Sequence, residues 1–200
     1  MSAQQSQLEL LLQALSESPY NPLPIQQPDT DIVQHHVSET RWQGRGGLAV
    51  LCHSDLDADY DGDPFACRIR ATVIQDKLKW SGTANDGHLV LGRGSGVRGR
   101  TFNQSISALQ ALPGTLKWKG NMKTCVKYEE MDSAMLTVTT QGGDLQTSIT
   151  DTQSNPIVPQ GGSYGLRGKE VDVTFILYIT PKTAKRGRRM VAAATAVVVV

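Results

Sequence analysis

The chain has 200 residues, enough to bury a core in one domain without metal or disulfide staples. Three widely spaced cysteines, Cys52, Cys67 and Cys125, argue against a disulfide framework and against a Cys-x-x-Cys metal knuckle, and they fit a reducing compartment. The formal charge is only +1, yet five of the 20 lysines and arginines fall within "PKTAKRGRR", so the basic character gathers near the C-terminus, where it would meet nucleic acid, anionic lipid or a nuclear import receptor.

The opening "MSAQQSQLELLLQALSES" lacks a basic stretch before its apolar residues and a long apolar run, so it does not read as a secretory signal and an intracellular site is expected. Leu8, Leu11, Leu12 and Leu15 share one face of a short amphipathic helix. Pro19, Pro22, Pro24 and Pro28 then hold the chain extended. Residues 1–40 read as an arm, 41–181 as a β-rich globular domain, and 182–200 as a basic and then apolar tail.

Within the domain the strand candidates are "GLAVLCH", "FACRIRATVIQ", "KLKWSG", "HLVLGRG", "TLKWKG", "TCVKYEE", "AMLTVTTQ", "LQTSITD" and "VDVTFILYIT". Cys67, Ile69, Ala71 and Val73 alternate with Arg68, Arg70, Thr72 and Ile74, the period of a strand with one buried face. The second half of "VDVTFILYI" is apolar on both faces, as in a central strand. Phe102 to Leu112 is the single helical stretch, ended by "LPG". The pattern predicts a mainly β or α+β domain, an antiparallel sandwich or jelly-roll-like sheet with one inserted helix.

"DLDADYDGDPFAC" resembles the start of a calcium loop, with Asp57, Asp59 and Asp61 at its first, third and fifth positions and Gly62 sixth. The bidentate carboxylate required at the twelfth position is Arg68, and a guanidinium cannot ligate a cation. The stretch is expected to be an acidic surface loop, with Asp57, Asp59, Asp61 and Asp63 as weak metal candidates only.

"GRGSGVRGR" places Gly94, Gly96 and Gly99 in a GxGxxG pattern between a strand and a helix, but no acidic residue follows at the distance a dinucleotide site needs. Arg93, Arg98 and Arg100 remain phosphate-binding candidates. In "TLKWKGNMKTCVKY", Lys117 and Lys119 alternate with Leu116 and Trp118, which predicts a basic outer sheet face with the tryptophans, Trp80 and Trp118, turned to the core. Lys182, Lys185, Arg186, Arg188 and Arg189 complete the anion-binding candidates. The last ten residues, "VAAATAVVVV", are too few to span a bilayer as a helix, which needs about 20; contact with a membrane, an added strand and a frayed end stay open.

Catalysis finds little support. His35, His36, His53 and His88 form no pair with metal spacing, serine has no nucleophile-elbow setting, and His53 beside Asp55 is a weak proton relay. A non-enzymatic protein without a cofactor is expected.

The organisation of a proline-rich arm, one β-rich domain and a C-terminal basic cluster resembles rhabdovirus-type matrix proteins of plant-infecting negative-strand RNA viruses. That resemblance implies a virion-associated structural protein that self-associates and bridges nucleocapsid or RNA to anionic membrane. "KTAKRGRR" would then look like a nuclear localisation signal, with access to the host nucleus. The alternative is a single-stranded nucleic-acid-binding accessory or movement protein that stacks bases on Trp80 or Trp118, or a capsid protein.

Overall fold

The computed structural model describes residues 40–45, 47–53, 64–80, 85–94, 97–111, 122–128, 134–140, 147–182 and 187–200. Their elements, in chain order, are β1 (Thr40–Arg45), β2 (Leu48–His53), β3 (Ala66–Asp76), β4 (Lys79–Trp80), β5 (Asn85–Gly92), α1 (Val97–Ala111), β6 (Val126–Tyr128), β7 (Ala134–Thr140), β8 (Ser148–Asp151), β9 (Glu170–Thr180) and β10 (Arg189–Val199). Among the described residues the domain is mainly β with one helix, as its sequence predicts. The arm up to residue 39, with its leucine stripe, and the aspartates of residues 55–63 lie outside the described residues.

Alternation sets the register. In β3 the apolar residues Cys67, Ile69, Ala71 and Val73 are buried, while Arg68, Arg70 and Thr72 stay partly exposed on the other face. β3 pairs antiparallel with β5, β5 with β7, and β9 with both β3 and β10. β10 then runs parallel to β7, with Ala192 and Ala193 opposite Val138 and Thr139. That contact closes a barrel of five strands, β3, β5, β7, β10 and β9. Numbered in chain order, the strands follow one another around it as first, second, third, fifth and fourth.

The barrel interior receives Leu89 and Leu91 from β5, Leu136 and Val138 from β7, and Val171, Val173, Phe175, Leu177 and Ile179 from β9. On β10 the inward residues step from Ala194 to Val197 because a bulge between Ala194 and Ala196 resets the alternation. Outside, Leu48, Val50 and Cys52 of β2 pack with Ile176, Tyr178 and Ala193 in a second buried cluster. The second half of β9 is therefore apolar on both faces, as its sequence predicts.

α1 turns Phe102, Ile106 and Leu109 onto the barrel core at i, i+4 and i+7. It begins five residues before the expected start at Phe102, because Gly99 costs a helix only about 1 kcal/mol. Gly87, at φ +126°, sits where the β3–β5 hairpin closes, and a Cβ there would collide with the Lys77 carbonyl.

The C-terminal run is part of this architecture. β10 pairs with β9 from Arg189 to Val199 and with β8 from Ala196 to Val199, and Met190, Ala192, Ala193 and Val197 are buried. Of the three roles left open for "VAAATAVVVV", the strand is the one adopted, and it lies within the barrel rather than beyond it. The sheet is thereby mixed, since both β7 and β8 run parallel to β10.

A carboxylate of β9 is buried on the outer face of the barrel. Asp172 of β9 is 3 % exposed and accepts hydrogen bonds from Arg70 Nε at 2.7 Å and Arg68 Nη2 at 2.9 Å. Burial alone would raise this carboxyl, but the hydrogen bonds and charge of Arg70 and Arg68 outweigh it and hold the group below its ordinary value. The contribution is thus full above the unfolded-state value of about 3.9 and is lost as pH falls through the lower folded-state value. Asp172→Asn is expected to cost about 2 kcal/mol at neutral pH, less than a fully buried pair because water screens the partly exposed arginines. Urea unfolding at falling pH checks this: the gap between wild type and variant should narrow below about pH 4.

Candidate functional site

The parallel seam between β7 and β10 is short, and a separate segment enters beside it. Lys123 donates its backbone N–H to the Arg188 carbonyl at 3.1 Å and accepts the Met190 N–H at 2.9 Å. Two residues on, the Cys125 carbonyl accepts the Thr137 N–H at 2.9 Å, and β6 then pairs antiparallel with β7. Residues 123–127 are thus held between β7 and the head of β10.

A groove of about 340 Å³ opens along this wedge, bounded by Lys123, Thr124, Cys125, Lys127, Thr137, Thr139, Arg189, Met190 and Val191. Leu136 and Val138 point into the barrel, so Thr137 and Thr139 face outward and form part of the floor. Lys123, Lys127 and Arg189 are exposed, and the described lining contains no acid. Two floor hydroxyls are tied to backbone: Thr139 Oγ1 donates to the Ala192 carbonyl at 3.2 Å and Thr124 Oγ1 to the Val126 carbonyl at 2.9 Å. The outward row continues across the sheet from Thr139 to His88 of β5, whose carbonyl accepts the N–H of the exposed Lys77 at 3.0 Å.

Cys125 lies at the bottom, and burial pushes its thiol up to about 12. At pH 8 it is expected to resist alkylation in the folded protein and to react only on unfolding, because the thiolate is the reactive species. Mass spectrometry after iodoacetamide treatment, with and without urea, checks this.

The anion-binding residues expected from sequence fall in several places. Arg189 opens β10 on the groove, Arg188 is half-buried beside it, and Lys182 is exposed just after β9. These frame the connection between β9 and β10, of which Lys185 and Arg186 lie outside the described residues. Arg93 is exposed immediately after β5, away from the groove lining, and Arg98 and Arg100 belong to the first turn of α1. Lys117, Lys119 and Trp118 lie outside the described residues. So do Asp57, Asp59, Asp61 and Asp63; among the described residues no group of three or more His, Cys, Asp or Glu side chains could hold a metal ion. Trp80 is half-buried against the core. Sequence alone does not single out Lys123 and Lys127, although both belong to "TLKWKGNMKTCVKY". The alternation of Val126 and Lys127 was the available signal.

No family model and no curated protein matches the chain. Among solved structures it is similar to gp2.5, a single-stranded DNA-binding protein encoded by bacteriophage T7, with 11 % identity and a TM-score of 0.41 over 68 % of this chain and 91 % of that one. It is also similar to the single-stranded DNA-binding protein of bacteriophage Enc34, with 8 % identity and a TM-score of 0.47 over 80 % and 89 %. The complex of that protein with single-stranded DNA gives 9 % identity and a TM-score of 0.43 over 79 % and 92 %.

Proposed function

We propose that this protein is a non-enzymatic binder of single-stranded nucleic acid that lays the strand across the outer face of its barrel. The observation that carries the reading is the groove whose described lining holds no acid, with Lys123, Lys127 and Arg189 at its edges and Arg188 next to Arg189 in the chain. A strand order of first, second, third, fifth and fourth in a five-stranded barrel is that of the oligonucleotide- and oligosaccharide-binding fold. In that fold the face of the second and third strands and the loops after the first and fourth meet the ligand. Here those parts are β5, β7, the Lys77–Trp80 stretch and the Lys182–Arg188 connection.

The chemistry is electrostatic. Each cation that neutralises a phosphate releases condensed counterions, and a flexible single strand can bend its phosphates toward a groove that a stiff duplex would bridge. Of the functions expected from sequence, the barrel and groove support the single-strand binder over the matrix-like bridge. Trp80, packed against the core, is less suited to stacking than the groove cations are to phosphate contact.

Fluorescence anisotropy with a labelled oligonucleotide tests the reading. Tighter binding to the single strand than to its own duplex is expected, by about tenfold or more at physiological salt. Equal affinity for both, or binding to neither, would reject it.

A further inference from the structure

We infer that the groove reads the repeating phosphate of its ligand and not the base, so that its substrate class is the extended phosphate polyanion regardless of sequence or sugar. The inference rests on the single-strand reading and narrows it. Direct base readout uses bidentate side chains such as Asn, Gln, Glu or Arg on base edges, or ring faces for stacking. The floor between the three cations offers Thr124, Thr137, Thr139 and Val191, all β-branched, and the Thr124 and Thr139 hydroxyl hydrogens are already committed to the Val126 and Ala192 carbonyls. These short side chains present little that could tell one base from another. The long, exposed cations can follow a string of charges at the edges. Among the described lining residues Arg189 is the one bidentate donor, and it heads a strand beside two lysines, where a phosphate fork satisfies it without a base.

Linear inorganic polyphosphate carries the same repeating charge with neither base nor sugar, which makes it the discriminating probe. It would be used to displace a labelled oligo(dT) from the full chain, alongside unlabelled oligo(dT), oligo(dA) and oligo(U), with calorimetry of polyphosphate alone as a second readout. The expected result is displacement by all four at similar concentrations of phosphate, within about threefold, because charge density dominates the affinity. Lys127→Ala combined with Arg189→Ala should weaken polyphosphate and oligonucleotide in parallel. A preference above about tenfold among the oligonucleotides, or oligonucleotide binding that polyphosphate cannot displace, would overturn the inference and leave single-strand binding standing. Polyphosphate binding without oligonucleotide binding would reject the single-strand reading while upholding the phosphate groove. Binding of neither would reject both.

Discussion

A chain ended at Arg188 is expected not to fold. β10 supplies both contacts that close the barrel, antiparallel to β9 and parallel to β7, and it also pairs parallel with β8. It also buries Met190, Ala192, Ala193, Ala194 and Val197 to 3 % exposure or less. Losing those side chains and their ladder removes more than about 5 kcal/mol from a domain whose whole stability is about 5–15 kcal/mol. The edges of β7, β8 and β9 would be left unpaired and prone to aggregate. Circular dichroism and urea unfolding decide the matter: the truncated chain should lack a cooperative transition. A transition matching that of the full chain would show that the valine-rich segment is dispensable.

This strand also shows where the sequence stops being readable. In β3, polar residues on one face and apolar residues on the other leave a plain period of two, and β9 shows its burial on both faces. "VAAATAVVVV" has no such contrast. Its inward residues face the barrel, Ala193 faces the outer cluster, and the bulge near Thr195 shifts the phase midway, so apolar residues fill nearly every position. A uniform apolar run after a basic one looks like a tail until its partners are known, and β7 lies some 50 residues earlier in the chain.

The groove was hidden for a related reason. Its cations come from the segment before β6, from β6 and from β10, and only the β7–β10 seam brings them together. "GRGSGVRGR" and "DLDADYDGD" are conspicuous because their residues are neighbours in sequence. The groove draws on residues 123–127, on β7 and on the head of β10, which meet only in space, and no single local motif announces the set. Arg189 was legible from charge alone. Lys127 was legible from alternation with Val126 once β6 was accepted as a strand, whereas nothing local distinguishes Lys123.

Replacing Lys123, Lys127 and Arg189 together by alanine is expected to have the largest effect on binding of any change that spares the fold. All three are exposed, so the substitutions remove charge without opening the core. If each neutralises one phosphate, the triple variant should lose about 50-fold in affinity for a single strand at 0.15 M salt and about 500-fold at 0.05 M, with little difference near 1 M, from a slope of about −0.7 per contact. Unfolding by urea should stay within about 1 kcal/mol of wild type, since the Lys123 clip uses backbone atoms alone.

The measurement that bears most directly on the account is the salt dependence of oligo(dT) affinity for the wild-type protein and this triple variant, plotted as log K against log salt concentration. The account predicts a slope shallower by about 2 in the variant, with the two lines converging at high salt. Parallel lines with unchanged affinity would place the binding surface elsewhere on the molecule and contradict it.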